Sequence, residues 1–193
     1  MDGRGDCGNG ESNEKTLHGV TAADYSLKML IAMVAVTLSG LTYTAPAAWH
    51  SRPPARSMRV AEFTVPKVQG DSENAELIIY YFGAAGGGGA EANIDRWIGQ
   101  VQQPDGSPSK AKAKRAERTI NGLKVTTVDV SGTYTAEMTP GAAEHYNKPA
   151  YRVCAAVVET PQGAYYLKMT GPAKTMAAAQ PDYEKFLSSL KFQ

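Results

Sequence analysis

ELIIYYFGAAGGGGAEANIDRWIGQ, residues 76–100, runs from an apolar segment through a cluster of glycines into residues with helical spacing. Strand, glycine loop and helix is the order in which many phosphate sites are built, so the reading of this stretch separates a nucleotide-binding α/β fold from something else. A P-loop needs Lys-Ser/Thr after its glycines to reach the phosphates and Mg²⁺, but Gly89 is followed by Ala90-Glu91-Ala92. A dinucleotide fingerprint needs a third glycine where Glu91 stands, and a carboxylate there competes with a bound anion. The loop is therefore read as a strand-to-helix connection. The alternative is an anion nest made by the backbone amides of Gly86, Gly87, Gly88 and Gly89. On either side the pattern is plain. AELIIYYF (75–82) is continuously apolar, as an interior strand covered on both faces should be, and Ile94, Trp97, Ile98 and Val101 mark one face of an amphipathic helix.

Downstream, a loop with Pro104, Asp105-Gly106 and Pro108 leads to ERTINGLKVTTVDV, where Asn121-Gly122 between two β-rich runs predicts a tight type I′ hairpin. The apolar phase of this segment shifts between Val125 and Val128, which predicts a bulge near Thr126 and Thr127. A second hairpin follows in YRVCAAVVETPQGAYYLKMTG, turning at Pro161-Gln162-Gly163. Tyr183, Phe186, Leu187 and Leu190 then give a closing helix, with Asp182 and Glu184 expected near its positive N-terminus.

Upstream, LTYTAPAAW and MRVAEFTVP read as short strands bounded by prolines. Residues 1–28 are polar and glycine-rich, with three basic residues against five acidic, a net charge of −2, and are expected to be a disordered leader. MLIAMVAVTLSG, residues 29–40, has about the length of the roughly 7–15-residue apolar region of an export signal. It is read as a signal-like or anchor segment, with membrane contact through it, although the leader before it is acidic where a signal should be basic. The alternative is a short buried or interfacial helix of about three turns. Residues 41–193 then form a single domain. Strands joined mainly by hairpins, with two helices, make it an α+β domain with a mostly antiparallel β-sheet flanked by helices.

The composition of the 193 residues, 42% hydrophobic and 20% charged, suits one substantial core. A net charge of +1 gives no electrostatic reason to expect nucleic acid. The basic run KAKAKRAER (110–118) carries five cations against Glu117 but no interleaved aromatic to stack bases, so it is read as a solvated loop. Cys7 and Cys154 are too far apart in character to suggest a disulfide framework, and Cys154 reads as a small buried hydrophobe. His18, His50 and His145 show no paired ligand spacing, so neither a metal nor a cofactor is expected.

The order of these elements resembles a known family. A Trp in an opening strand, an Arg-bearing second strand, a helix after the third, a twin hairpin and the closing YEKFLSSLKF are similar to the PsbP-like α/β/α sandwich superfamily. That superfamily takes in the extrinsic PsbP proteins of photosystem II and a nuclear-import factor that binds the GTPase Ran. TAPAAWHSRPPARSMRVAEFTVP, NIDRWIGQ and GAAEHYNKPAYRVCAAVVETPQGAYYLKMTGP further resemble a group of uncharacterised bacterial proteins, often exported or lipid-anchored. Cys7 precedes the apolar run, so the cysteine that a lipid anchor needs is not where the resemblance would place it. The resemblance implies a fold and a role in binding other proteins, and brings no catalytic motif with it.

The most function-like loop is TPGAAEHYNKPAY (139–151), which crowds Glu144, His145, Tyr146, Asn147 and Lys148 between two sheet segments. These residues, with His50 beside Trp49 and Arg52, are the candidate surface for another protein. The expectation is a non-catalytic, extracytoplasmic protein-interaction domain, cytoplasmic if the apolar run is not an export signal. The alternative is a small hydrolase or ligand-binding enzyme that uses Glu144 and His145 for acid–base work, with the glycine loop as its anion site.

Overall fold

The computed structural model describes residues 35–38 and 40–193. The leader, 1–28, lies outside them, as do 29–34 and Ser39 of the apolar run. The part of that run described, Ala35–Leu38, is a strand (β1) rather than a turn of helix.

β1 pairs with β2 (Leu41–Thr44), which in turn pairs with the terminal β11 (Lys191–Phe192) in a small antiparallel sheet. The remaining strands form one eight-stranded sheet. In chain order they are β3 (His50–Arg52), β4 (Arg59–Val65), β5 (Ala75–Tyr81), β6 (Val101–Gln102), β7 (Lys114–Ile120), β8 (Leu123–Tyr134), β9 (Lys148–Thr160) and β10 (Gly163–Pro172). The spatial order is β3-β4-β5-β10-β9-β8-β6, with β7 also on β8, and every pairing is antiparallel. Helices α1 (Ala90–Gly99), α2 (Ser109–Lys112) and α3 (Ala173–Ser188) complete the described elements. This is the α+β arrangement that the sequence predicts, with β5 in the interior of the sheet.

The sheet has two apolar faces because the odd and even residues of each strand point to opposite sides. One face buries Phe63, Leu77, Ile79, Val125, Tyr165, Leu167 and Met169 beneath Phe186 and Leu187 of α3 and beneath Leu41 and Tyr43 of the small sheet. The other buries Val128, Val130, Val153, Ala155, Val157 and Tyr166 beneath Ile94, Trp97 and Ile98 of α1.

That double burial corrects the expected bulge. The β7–β8 register runs unbroken from Ile120↔Leu123 to Lys114↔Asp129. Leu123 and Val125 belong to the α3 side, Val128 and Val130 to the α1 side, so the shift of apolar phase marks a strand that changes which face it buries. The tip is as predicted: Asn121 and Gly122 have φ of 48° and 83°, as a type I′ turn requires.

Two further expectations are revised. The closing helix begins at Ala173, so Asp182 and Glu184 lie in its second half instead of beside its N-terminus, and Pro181 is interior. Met176 and Ala179 continue the buried stripe two turns upstream, and their burial outweighs the backbone bond that proline removes. The basic run is a helical turn and an edge strand rather than a loop, and most of its charges are paired: Arg115 with Glu91 at 2.6 Å, Arg118 with Glu184 at 2.7 Å, Lys110 with Asp95 at 3.0 Å. A charged edge strand also discourages pairing with another chain. Cys154 is buried as expected, and burial pushes its thiol up to about 12.

Candidate functional site

The function-like loop is held mainly by its own backbone. The amide of Thr135 donates to Gln100 O at 2.8 Å, Tyr146 N to Ala136 O at 2.9 Å, and Met138 N to Glu144 O at 3.0 Å, while Glu137 and His145 face each other in an isolated bridge. The Glu137 carboxylate accepts Gly141 N at 2.7 Å and closes the tip. The excursion is thus a short antiparallel extension beyond β8 and β9. Glu144, His145 and Asn147 are exposed on it, Tyr146 and Lys148 half-buried.

His145 Nδ1 lies 2.8 Å from Thr135 O. A carbonyl only accepts, so Nδ1 carries the proton in that bond and the neutral ring keeps its lone pair at Nε2. Glu144 is not drawn toward it: His145 lines a cleft that Glu144 does not. The Thr135 hydroxyl in that cleft donates to Gln100 O rather than to the imidazole. The residues of an acid–base pair are present, but their geometry supplies no relay.

Beside the loop stands an aromatic shelf that sequence reading did not find. Tyr134 stacks on Tyr146 and on Tyr151, with ring centroids 5.7 and 6.0 Å apart, and the Lys148 ammonium lies 5.1 and 5.3 Å from the Tyr146 and Tyr151 rings. Lys148 and Tyr151 are three positions apart and would point to opposite faces of a regular strand. Ala150, at a left-handed φ of 54°, breaks the alternation, and the β8–β9 register slips there, since Gly132 faces Tyr151 but Tyr134 faces Lys148. Lys148 also pairs with Glu73 at 2.7 Å, and this bond, with one from Tyr151, holds the Glu73 carboxyl below its usual range. Tyr134, Tyr146, Lys148 and Tyr151 line a cleft of about 360 Å³ with Arg52, Glu73 and Glu76. His50 lines neither this cleft nor the first; it lies exposed on β3, opposite Thr64.

The first cleft, about 530 Å³, opens between α1 and the loop. Its floor is Tyr80 and Phe82 with Tyr166 and Lys168 of β10, and Arg96, Trp97 and Gln100 border it opposite Glu137 and His145. Lys168 Nζ donates to Gln100 Oε1 at 2.5 Å and to Tyr134 Oη at 2.8 Å, and lies 4.9 Å from the Tyr134 ring. Burial pulls its ammonium down to about 8, against the attraction of Glu76 and with repulsion from Arg96 and Arg59 added. Sequence reading missed Lys168 because it sits singly in an apolar strand. Its shared phase with Tyr166 and Thr170 was the available signal.

The glycines serve close approach. A Cβ at Gly86 would lie within 3 Å of Phe82 O, and one at Gly87 would meet the Tyr166 ring. The carbonyls of this loop face inward: Tyr166 Oη donates to Gly88 O at 2.5 Å and Asn93 Nδ2 to Gly87 O at 2.6 Å. Gly86, Gly87, Gly88 and Gly89 thereby fasten the start of α1 to the sheet. Among the described residues there is no cluster of three His, Cys, Asp or Glu suited to a metal, and no helix long and apolar enough to cross a membrane.

No protein-family model matches the chain, and no curated protein matches it. Solved structures do. The solution structure of cyanobacterial PsbP (CyanoP) from Synechocystis sp. PCC 6803 aligns over 83% of this chain and 92% of its own, at 11% identity and a TM-score of 0.50. A Pseudomonas aeruginosa protein of unknown function, described as a putative regulator, aligns over 83% and 97% at 14% identity and a TM-score of 0.46. A Bacteroides thetaiotaomicron protein aligns over 80% and 45% at 13% identity and a TM-score of 0.41. The likeness to CyanoP shows the fold: the described residues adopt a PsbP-like architecture.

Proposed function

We propose that this PsbP-like domain is a non-catalytic, extracytoplasmic protein-interaction module that presents Glu144, His145, Tyr146, Asn147 and Lys148 to another protein. The observation that carries the reading is the loop's construction. Backbone bonds hold it in one conformation while Glu144, His145 and Asn147 stay exposed beside the tyrosine shelf, and a preorganised segment loses little entropy on binding. Tyrosine is also the residue type that interfaces favour, a large ring with a polar tip. Placement outside the cytoplasm is supported by the signal-like composition of residues 29–40.

The test is quantitative retention of partners from the extracytoplasmic fraction of the source cell on immobilised wild-type protein and on two variants, Glu144→Lys and Asn147→Ala. Both side chains are exposed, so thermal unfolding should be unchanged. A protein retained by the wild type and lost by both variants is the expected result. Equal retention, or no specific retention by the wild type, overturns the assignment.

A further inference from the structure

Ten of the seventeen lysines and arginines among the described residues have a carboxylate within 4.0 Å. Arg152 meets Asp129 at 2.6 Å, Arg59 meets Glu62 at 3.0 Å, and Lys148 meets Glu73 at 2.7 Å. The cleft between α1 and the 135–146 loop is different. Among the described residues neither Lys168 nor Arg96 has a carboxylate within 4.0 Å, although both line this one recess. Lys168 is held by neutral oxygens, those of Gln100 and Tyr134, which occupy two of its three donors. Arg96 Nη2 donates to Asn93 Oδ1 at 2.6 Å, which leaves most of its fork unused. A partly desolvated ammonium with no carboxylate in contact, only the more distant Glu76, is costly to keep, and an arriving anion would relieve that cost.

The lining also limits the anion. Glu137 stands in the same cleft with its carboxylate on Gly141 N, so two cations are set against one acid and the excess matches a single negative charge. Tyr80 and Phe82, stacked 6.1 Å apart, give the floor an apolar surface. About 530 Å³ is the size of a small-molecule site rather than of a single ion. We propose that this cleft binds a small organic monocarboxylate, its carboxylate bridged by Lys168 and Arg96 and its apolar body laid on Tyr80 and Phe82. The cleft shares His145 with the Glu144–Lys148 surface, but anion binding by Lys168 and Arg96 does not depend on that surface having a partner.

The experiment titrates purified full-length protein with benzoate, phenylacetate and hexanoate, followed by calorimetry and thermal shift, with benzamide as the uncharged control and inorganic phosphate as the competing anion. Saturable binding by at least one carboxylate, none by benzamide and weaker binding by phosphate is expected. Lys168→Met should abolish that binding and Arg96→Gln should weaken it by about tenfold, the loss of one charge-assisted contact, while Lys110→Gln, outside the cleft, leaves it unchanged. Arg96 is an exposed helix residue, so Arg96→Gln remains decisive even if Lys168→Met fails to fold. The proposal is overturned if all three carboxylates fail to bind, if benzamide binds equally, if phosphate binds more tightly, or if Arg96→Gln has unchanged affinity.

Discussion

The two faces of the large sheet are built to different ends. On the α3 side a row of aromatic and aliphatic side chains is closed over completely: Phe186 touches Tyr43, Trp49 and Phe63 at centroid distances of 5.0, 5.6 and 6.4 Å, and is itself fully buried. On the α1 side the helix covers only the β8, β9 and β10 part, and strands β3, β4 and β5, beyond the helix, carry Arg52, Arg59, Glu62, Glu76 and Tyr80 instead. Both clefts and the tyrosine shelf lie where that cover ends. A sheet with one sealed face can leave the other incomplete, because the sealed side supplies the burial on which the fold depends.

That division predicts its own largest effect. Phe186→Ala removes the ring on which the sealed face converges, and should cost about 3–5 kcal/mol in urea unfolding, the usual range for a buried aromatic truncated in a core. A loss as small as that of a surface substitution would mean that the α3 face is not the main source of stability.

The packed parts of both faces were largely legible in the sequence and the clefts were not. Val125 and Val128, Ile94 and Trp97, and the Asn121-Gly122 turn declare themselves through period and turn chemistry, which are local properties. The stripe of Tyr183, Phe186 and Leu187 marks only the second half of a helix that already runs from Ala173. Of the candidate surface, Glu144 to Lys148 lie together on one loop, while His50 lies on an edge strand opposite Thr64, which lines the shelf cleft. Lys168, Tyr134 and Gln100 are far apart in sequence and meet only through the register of β8, β9 and β10 and the end of α1. The left-handed Ala150 that turns Lys148 onto the shelf has no signature in residue type at all.

On the open face the next effect is electrostatic. Glu62 is buried, and burial alone would raise its pKa, but the Ala55 amide at 2.8 Å, Arg59 at 3.0 Å and Arg52 at 3.7 Å hold it below the ordinary carboxylate range. A carboxylate with a lowered folded-state pKa contributes stability above its unfolded value, about 4.3, and loses it as pH falls through the folded value. Glu62→Gln should therefore cost about 1.5–3 kcal/mol at neutral pH, towards the lower figure because Arg52 is half exposed. The difference from the wild type should shrink below about pH 4. A gap that stayed constant with pH would show that Glu62 acts by shape and not by charge.

The smallest test asks how the sealed face is fastened at its end. Asn121, at the tip of the β7–β8 hairpin, donates from Nδ2 to Ser188 O at 3.0 Å and to Leu190 O at 2.8 Å, carbonyls at the end of α3 that the helix itself leaves unpaired. The same residue holds a φ of 48°, so truncation mixes two effects. Asn121→Gly keeps the turn and removes only the bonds, and should cost about 1 kcal/mol. Asn121→Ala also places a Cβ in the left-handed region and should cost about 1 kcal/mol more. If the glycine variant matches the wild type while the alanine variant does not, the tip serves the turn alone. The end of α3 is then held by the packing of Phe186, Leu187 and Leu190, by Thr44 N on Ser189 Oγ and by Arg118 on Glu184, and the Asn121 side chain adds nothing to them.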